Sequence, residues 1–187
     1  LLKKPKSSRF LKSLTDEEKN KLNPIIWFGG NQITGDQIFL KSNVKTEELD
    51  SLIIRGNVFM SQKDSLYSDR FNQIKGEKLD GFFSDGKLDN VYVVKNSTLL
   101  YYMYSDDAEL IGLNKTLASS ILIKFLENEI SEVSFYRTPD GNVLSENKIL
   151  TNEMKLPGFI WRESERPNKI SDLFSESDKK LEIVEIE

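Results

Sequence analysis

The sequence predicts an all-β protein of stacked hairpin rungs with a short N-terminal helix, and three observations carry that prediction. Apolar residues alternate with polar ones at a period of two. Short apolar runs rich in β-branched and aromatic residues are punctuated by Gly, Asn and Asp. A hairpin pattern also recurs along the chain, its strand starts at Leu49, Leu88 and Ile130 lying 39 and 42 residues apart. A recurrence of that size marks supersecondary units that bury their apolar faces only by stacking.

The helix comes first. Thr15 is placed to cap it, with Glu18 three residues on and acidic Asp16 and Glu17 at the positive end of the dipole. Pro24 limits it to two or three turns. From Ile25 the helical period disappears. Residues 1–24 are therefore expected to form a helical extension, 25–174 the repetitive β domain, and 175–187 a charged tail or edge strand.

In the stretch 52–60, Leu52, Ile54, Val58 and Met60 share one face, with Arg55, Asn57 and Ser61 on the other. Ile121, Ile123 and Phe125 oppose Lys124, and Val133 and Phe135 flank Ser134. One apolar and one polar side describe a sheet over an interior on one face and water on the other. The repeat lays residues 76–91 over 114–133, each with an acidic turn (Asp85-Gly86, Glu127-Asn128) between strands, and a third copy fits 35–58. Residues 98–104 are apolar on both faces, which fits a doubly covered strand or one whose second face binds something. The apolar run at 156–161 is expected to be a terminal strand or plug. Ser171 to Phe174 reads as a helical turn, and the alternating 179–187 as an edge strand or tail.

Composition narrows the function. Of 187 residues 38% are hydrophobic, enough for a core. A net charge of −4 argues against nucleic acid or an anionic membrane surface as partner. There is no cysteine and no histidine, so thiolate metal sites and the commonest general base are both missing. The aspartates sit mostly beside Gly, Asn or Ser, where turns want them. Asp106-Asp107 lacks the spacing of a calcium loop. No serine stands in a nucleophile elbow, and Gly29-Gly30 does not continue into a phosphate loop. No catalytic residue, metal or cofactor is expected. The chain begins Leu1-Leu2 and is expected to be a processed or trimmed segment, so a missing signal peptide does not weigh against export.

Alternation assigns thirteen residues to the inward apolar face: Leu52, Ile54, Val58, Met60, Val91, Val93, Leu99, Tyr101, Ile121, Ile123, Phe125, Val133 and Phe135. Tyr92, Tyr101, Tyr102 and Tyr104 cluster with Phe82 and Phe83, as core or as the wall of a groove. Trp27-Phe28 and Phe159–Trp161 read either as caps of the stack or as partner contacts.

The succession Gly56-Asn57-Val58, Asp64-Ser65-Leu66-Tyr67-Ser68-Asp69 and Phe71-Asn72-Gln73-Ile74-Lys75-Gly76 resembles the OstA-like family of Bacteroidetes. Ile111 to Lys115, Pro139-Asp140-Gly141, Gly158 to Arg162 and Glu165-Arg166-Pro167 continue the resemblance, which spans roughly Pro24 to Phe174. It implies an open β-jellyroll, or β-taco, of the periplasmic lipopolysaccharide-transport kind. The trough would shelter acyl chains of lipopolysaccharide or another lipid against the thirteen inward residues. Partners would be other β-jellyroll transport proteins, or further copies, joined end to end by edge strands. An adaptor with a filled interior that binds no lipid is the alternative, and a carbohydrate-binding surface of exposed Tyr and Trp a third. Asp50-Ser51-Leu52 and Asp64-Ser65-Leu66 also resemble O-glycosylation acceptors of Bacteroidetes.

Overall fold

A computed structural model describes residues 15–127 and 129–168. Helix α1 (Asp16–Leu22) is followed by nine strands: β1 (Ile25–Phe28), β2 (Asn31–Thr34), β3 (Gln37–Ser42), β4 (Leu49–Lys63), β5 (Phe71–Ser84), β6 (Lys87–Tyr104), β7 (Leu110–Leu126), β8 (Glu129–Tyr136) and β9 (Asp140–Leu144). The helix begins as its capping box requires. Glu18 N–H donates to Thr15 Oγ1 at 3.2 Å, and Thr15 N–H to Glu18 Oε2 at 2.8 Å.

All strands join one antiparallel sheet in the order β1-β2-β4-β5-β6-β7-β8, with β3 also on β4 and β9 also on β7. The sheet is open and does not close into a barrel. It is bent along one line. Register slips between Arg55 and Val58 on β4, between Lys75 and Lys78 on β5, and between Val94 and Ser97 on β6. The same line passes between β2 and β3 and between β8 and β9. Six bent rungs result: β2–β3, β4, β5, β6, β7 and β8–β9. Their halves form two walls. The first wall holds β3, the start of β4, the end of β5, the start of β6, the end of β7 and β8. The second holds β1, β2, the complementary halves and β9.

Alternate rungs turn this corner on a pair of left-handed residues: Gly56-Asn57, Lys95-Asn96 and Arg137-Thr138. Bulges of this kind bend the strand and increase its local twist. Asn57, Asn96 and Thr138 are 39 and 42 residues apart, so the recurrence in the sequence is the recurrence of this corner. Asparagine tolerates the left-handed region best among residues with a side chain. Here it also reaches the next rung: Asn57 Nδ2 donates to the Asp36 carboxylate at 2.9 Å, and Asn96 Nδ2 to Glu77 Oε1 at 2.9 Å. Gly76 is needed at the corner because a Cβ there would overlap the Val93 side chain.

The bend folds the apolar face onto itself. Ile33, Met60, Ile74 and Leu99 of the second wall pack with Leu52, Ile54, Leu79, Val91, Val93, Ile121 and Ile123 of the first in one buried cluster. Each such side chain contributes roughly 1.5–3 kcal/mol by leaving water.

The outer face of the second wall carries a second cluster of Phe59, Leu100, Tyr102 and Leu113, covered by Leu156 with Leu144, Ile149, Met154 and Phe159. The segment expected as a strand or plug at 156–161 is neither. It belongs to a strap, residues 145–162, that crosses this face without joining the sheet. A strap lying on apolar surface must find partners for its backbone, and two buried glutamines provide them. Gln73 donates to Met154 O (2.8 Å) and accepts from Leu156 N–H (2.8 Å). Gln32 donates to Ile160 O (2.7 Å) and accepts from Arg162 N–H (2.6 Å). Residues 98–104 are therefore the doubly covered strand, with Leu99 on the core and Leu100 and Tyr102 under the strap. Ser171–Phe174 and Lys179–Glu187, read above as a helical turn and an edge strand or tail, lie outside the described residues.

Candidate functional site

The candidate site is the inner face and the two ends of the stack. All thirteen inward assignments fall on that face. Leu52, Ile54, Val58, Met60, Val91, Val93, Leu99, Ile121, Ile123 and Phe125 are buried in the cluster, and Tyr101, Val133 and Phe135 pack half-buried against it. Period-two alternation is enough to sort a strand's faces, so the assignment needed no tertiary information.

What covers that face did need it. The walls touch across the mouth of the V: the Phe28 and Phe83 rings pack at a tilt with centroids 4.8 Å apart, and Gln62 Nε2 donates to Glu129 Oε2 at 3.3 Å. Between the walls lies a cavity of about 10 Å³, bounded by Met60, Ile74 and Leu99 on one side and Ile123 and Ile130 on the other. That is room for about one water molecule. An acyl chain would enter only if the walls parted, because their own side chains fill the space. The lip of the second wall is polar. Asn31 and Gln62 are buried there, and Asn31 Oδ1 has no hydrogen-bond partner among the described residues. Sequence reasoning missed this lip, since a polar residue within a strand reads as surface.

The ends of the stack are less finished. Ile130, Val133 and Phe135 on the inner side of the last strand are only half-buried. Among the described residues no strand pairs with the outer edges of β1, β3, β8 or β9. Such edges present backbone N–H and C=O groups to any chain able to pair with them. The outer face of the first wall bears exposed Phe39, Phe82, Tyr92 and Tyr136 between the ion pairs Arg55–Asp80 (2.6 Å) and Lys124–Glu132 (2.9 Å). The tryptophans read as caps of the stack or as partner contacts meet each other: Trp27 of β1 and Trp161 of the strap pack edge to face at 5.1 Å. Of the two glycosylation candidates, Ser65 is exposed on the β4–β5 loop, whereas Ser51 is buried.

The tyrosine cluster divides between the faces. Tyr101 points into the core, and burial first, then the charge of Glu129, raises its pKa. Tyr104 closes a polar knot that holds the β4–β5 loop. Its hydroxyl donates to Asp64 Oδ2 at 2.8 Å and accepts from Arg70 Nη1 at 3.3 Å, while Asp64 Oδ1 takes Leu66 and Tyr67 N–H at 2.8 and 2.9 Å. The Arg70 guanidinium lies 3.9 Å from the Tyr67 ring centre. Burial, with Asp64 beside it, pushes the Tyr104 hydroxyl up to about 12. A raised folded-state value means the unfolded chain gives up this proton first. The corresponding stability is complete below the ordinary tyrosine value of 10.0 and is lost as pH climbs from there through about 12. Denaturation midpoints should thus fall more steeply across that window in the parent chain than in Tyr104→Phe. Equal slopes would remove Tyr104 as the cause.

Chemically this arrangement can bury apolar surface and pair strands. Among the described residues no group of three or more acidic side chains comes together to hold a metal ion. A comparison with protein-family models gives no match, and none of the curated proteins compared with the chain matches it.

Proposed function

We propose that the chain is a periplasmic β-adaptor of an envelope assembly of the lipopolysaccharide-transport kind, joined to other β-proteins through the edges of its end rungs. One observation carries this reading: a two-walled core that is packed within but left, among the described residues, with unpaired edges and half-buried apolar residues at its last rung. A pairing strand would satisfy the free backbone groups and cover Ile130, Val133 and Phe135 in one step. The test is photo-crosslinking in source cells, with the reactive residue at Ser134 on β8, at Phe39 on β3, or at Tyr92 in the middle of the first wall. Adducts with another β-protein are expected from an edge position and not from Tyr92. No adduct from either edge would sink the adaptor reading.

A second reading keeps the lipid. The sheet is open, and ring contact at Phe28–Phe83 and the Gln62–Glu129 hydrogen bond join its lips, so parted walls would expose the thirteen inward residues to lipopolysaccharide acyl chains. Saturable uptake of a fluorescent fatty acid, displaced by lipopolysaccharide, is its expected signature. A chain that takes up no probe keeps the adaptor role alone.

A further inference from the structure

The outer faces of the two walls differ in what covers them. On the second wall Leu156, Met154 and Ile149 of the strap lie over the apolar cluster. On the first wall Phe39, Phe82, Tyr92 and Tyr136 stay between 39% and 50% exposed among the described residues. Strand pairing sets the outward positions of this wall in three straight rows of six. The middle row runs Phe39, Ile53, Asp80, Tyr92, Leu122 and Ser134 from β3 to β8. Four of the outward side chains are basic (Lys41, Arg55, Lys78, Lys124) and two are acidic (Asp80, Glu132). The face therefore carries a surplus of two positive charges on a chain whose net charge is −4. Arg55 and Lys124 are paired with the two acids at 2.6 and 2.9 Å. Lys41 and Lys78 have no acidic partner among the described residues and supply the surplus.

At the centre of the face two cross-strand pairs, Asp80–Tyr92 and Phe82–Asn90, form a square. The Phe82 and Tyr92 rings meet at 84° with centroids 6.4 Å apart, so they make an aromatic corner with a carboxylate and an amide beside it. Lys78 stands two residues before Asp80 on the same strand face. Rings flanked at once by an acceptor, an amide and a free ammonium suit a pyranose, which has C–H groups on its faces and hydroxyls around its rim. The surplus of positive charge selects sugars that carry carboxylates.

Size points the same way. At a strand spacing of about 4.8 Å and a rise of about 3.3 Å per residue, the rows span roughly 24 Å across the strands and 13 Å along them. With its side chains the face offers about 500 Å², short of the roughly 800 Å² per partner that a stable protein interface uses. Its apolar side chains are also interrupted by charged ones, whereas a protein interface concentrates its energy in a contiguous desolvated centre. A narrow chain crossing the strands, with contacts repeating every few ångströms, matches the shape.

We infer that the outer face of the first wall binds an acidic polysaccharide, with Phe82 and Tyr92 against its sugar rings and Lys78 and Lys41 on its carboxylates. This site uses a face and not an edge, so it stands independently of the adaptor reading. The probe is a hexamer of β-1,4-linked uronic acid, with cellohexaose as its neutral counterpart, each titrated by calorimetry into the whole chain. Saturable binding of the acidic hexamer is expected at a Kd of about 1 mM or tighter, weakening as salt is raised. Tyr92→Ala should weaken it about tenfold, by loss of ring contact. Lys78→Gln should bring the acidic hexamer down to the affinity of cellohexaose. Leu117→Ala, exposed on the other wall, should change nothing. Thermal midpoints confirm that the three variants are folded, since all three side chains are exposed. Absence of binding by the acidic hexamer, or equal affinities for it in the Tyr92 and Leu117 variants, overturns the site. Binding to phosphatidylglycerol vesicles that Tyr92→Ala abolishes, with the hexamer refused, makes the face a membrane surface and overturns the glycan. The edge crosslinks that test the adaptor are unaffected by any of these results.

Discussion

Ile123→Ala is expected to lower the unfolding free energy by about 2–5 kcal/mol, the range for truncating a large aliphatic side chain in a closed core. Ile123 is 1% exposed, sits across from Val91 and Val133 in the sheet, and borders the cavity facing Met60, Ile74 and Leu99 of the other wall. Its removal adds to a void lined from both sides, with little freedom to collapse because strand pairing holds each wall. Ile123→Asp should prevent folding, since a carboxylate there has neither water nor a cation to receive it. Urea denaturation of the alanine variant measures the effect, with Leu117→Ala as reference. Leu117 is on the same strand but 52% exposed, and a surface change of this kind stays within about 0.5 kcal/mol. The comparison decides between a filled interior and an empty trough. Were the inner face open to solvent without lipid, Ile123→Ala would cost no more than the reference. The loss of lipid uptake by an Ile123→Asp chain would then be informative. In a filled core it reports only unfolding.

Arg162→Ala is expected to cost about 3 kcal/mol and to loosen one region of the molecule before the rest. The side chain is 9% exposed and ties three segments that are far apart in sequence: the end of α1, the approach to β1, and the strap. Removing it leaves Asn20 O and Asn23 O without their charged donor, and each buried acceptor left unpaired costs about 1–3 kcal/mol. Its partner Glu165 adds less, being half exposed, with the hydrogen bond from Arg162 holding the carboxylate below its usual range. A lowered carboxylate value stabilises the fold above the ordinary value of 4.5 and is lost as pH falls below it, so Glu165→Gln should matter little at neutral pH and less still in acid. Hydrogen exchange locates the effect. Amides of Leu156 and Phe159, whose N–H groups bond to Gln73 Oε1 and Leu156 O, should exchange faster, along with those of β1. Protection in the middle of β4 to β7 should hold. A uniform loss of protection would mean that the strap and sheet unfold as one unit.

These expectations depend on features that were unequally visible in the sequence. Thr15 and Glu18 announce the helix start because a capping box is local. The hairpin recurrence is visible because each turn of the stack repeats the same corner chemistry. Residues 98–104, apolar on both faces, hinted at a second covering layer without naming it. The layer is the strap, and 156–161 reads as a strand only because an apolar run looks alike wherever its backbone partners come from. Gln32 and Gln73 gave no sign of their role. Within a strand a glutamine signals exposure, yet these two are buried and carry the strap's backbone hydrogen bonds in place of neighbouring strands.

Strand content, the hairpin recurrence and the choice of inward residues were settled by the sequence alone, because a pleated strand turns every second side chain to the same face. What packs against that face within the chain itself was decided only in three dimensions. Alternation states which side is apolar and is silent on what lies against it. The answer comes from a corner that folds the sheet onto itself, bringing residues such as Met60 and Ile123 to opposite sides of one small cavity, and from a strap whose partners lie far away in sequence.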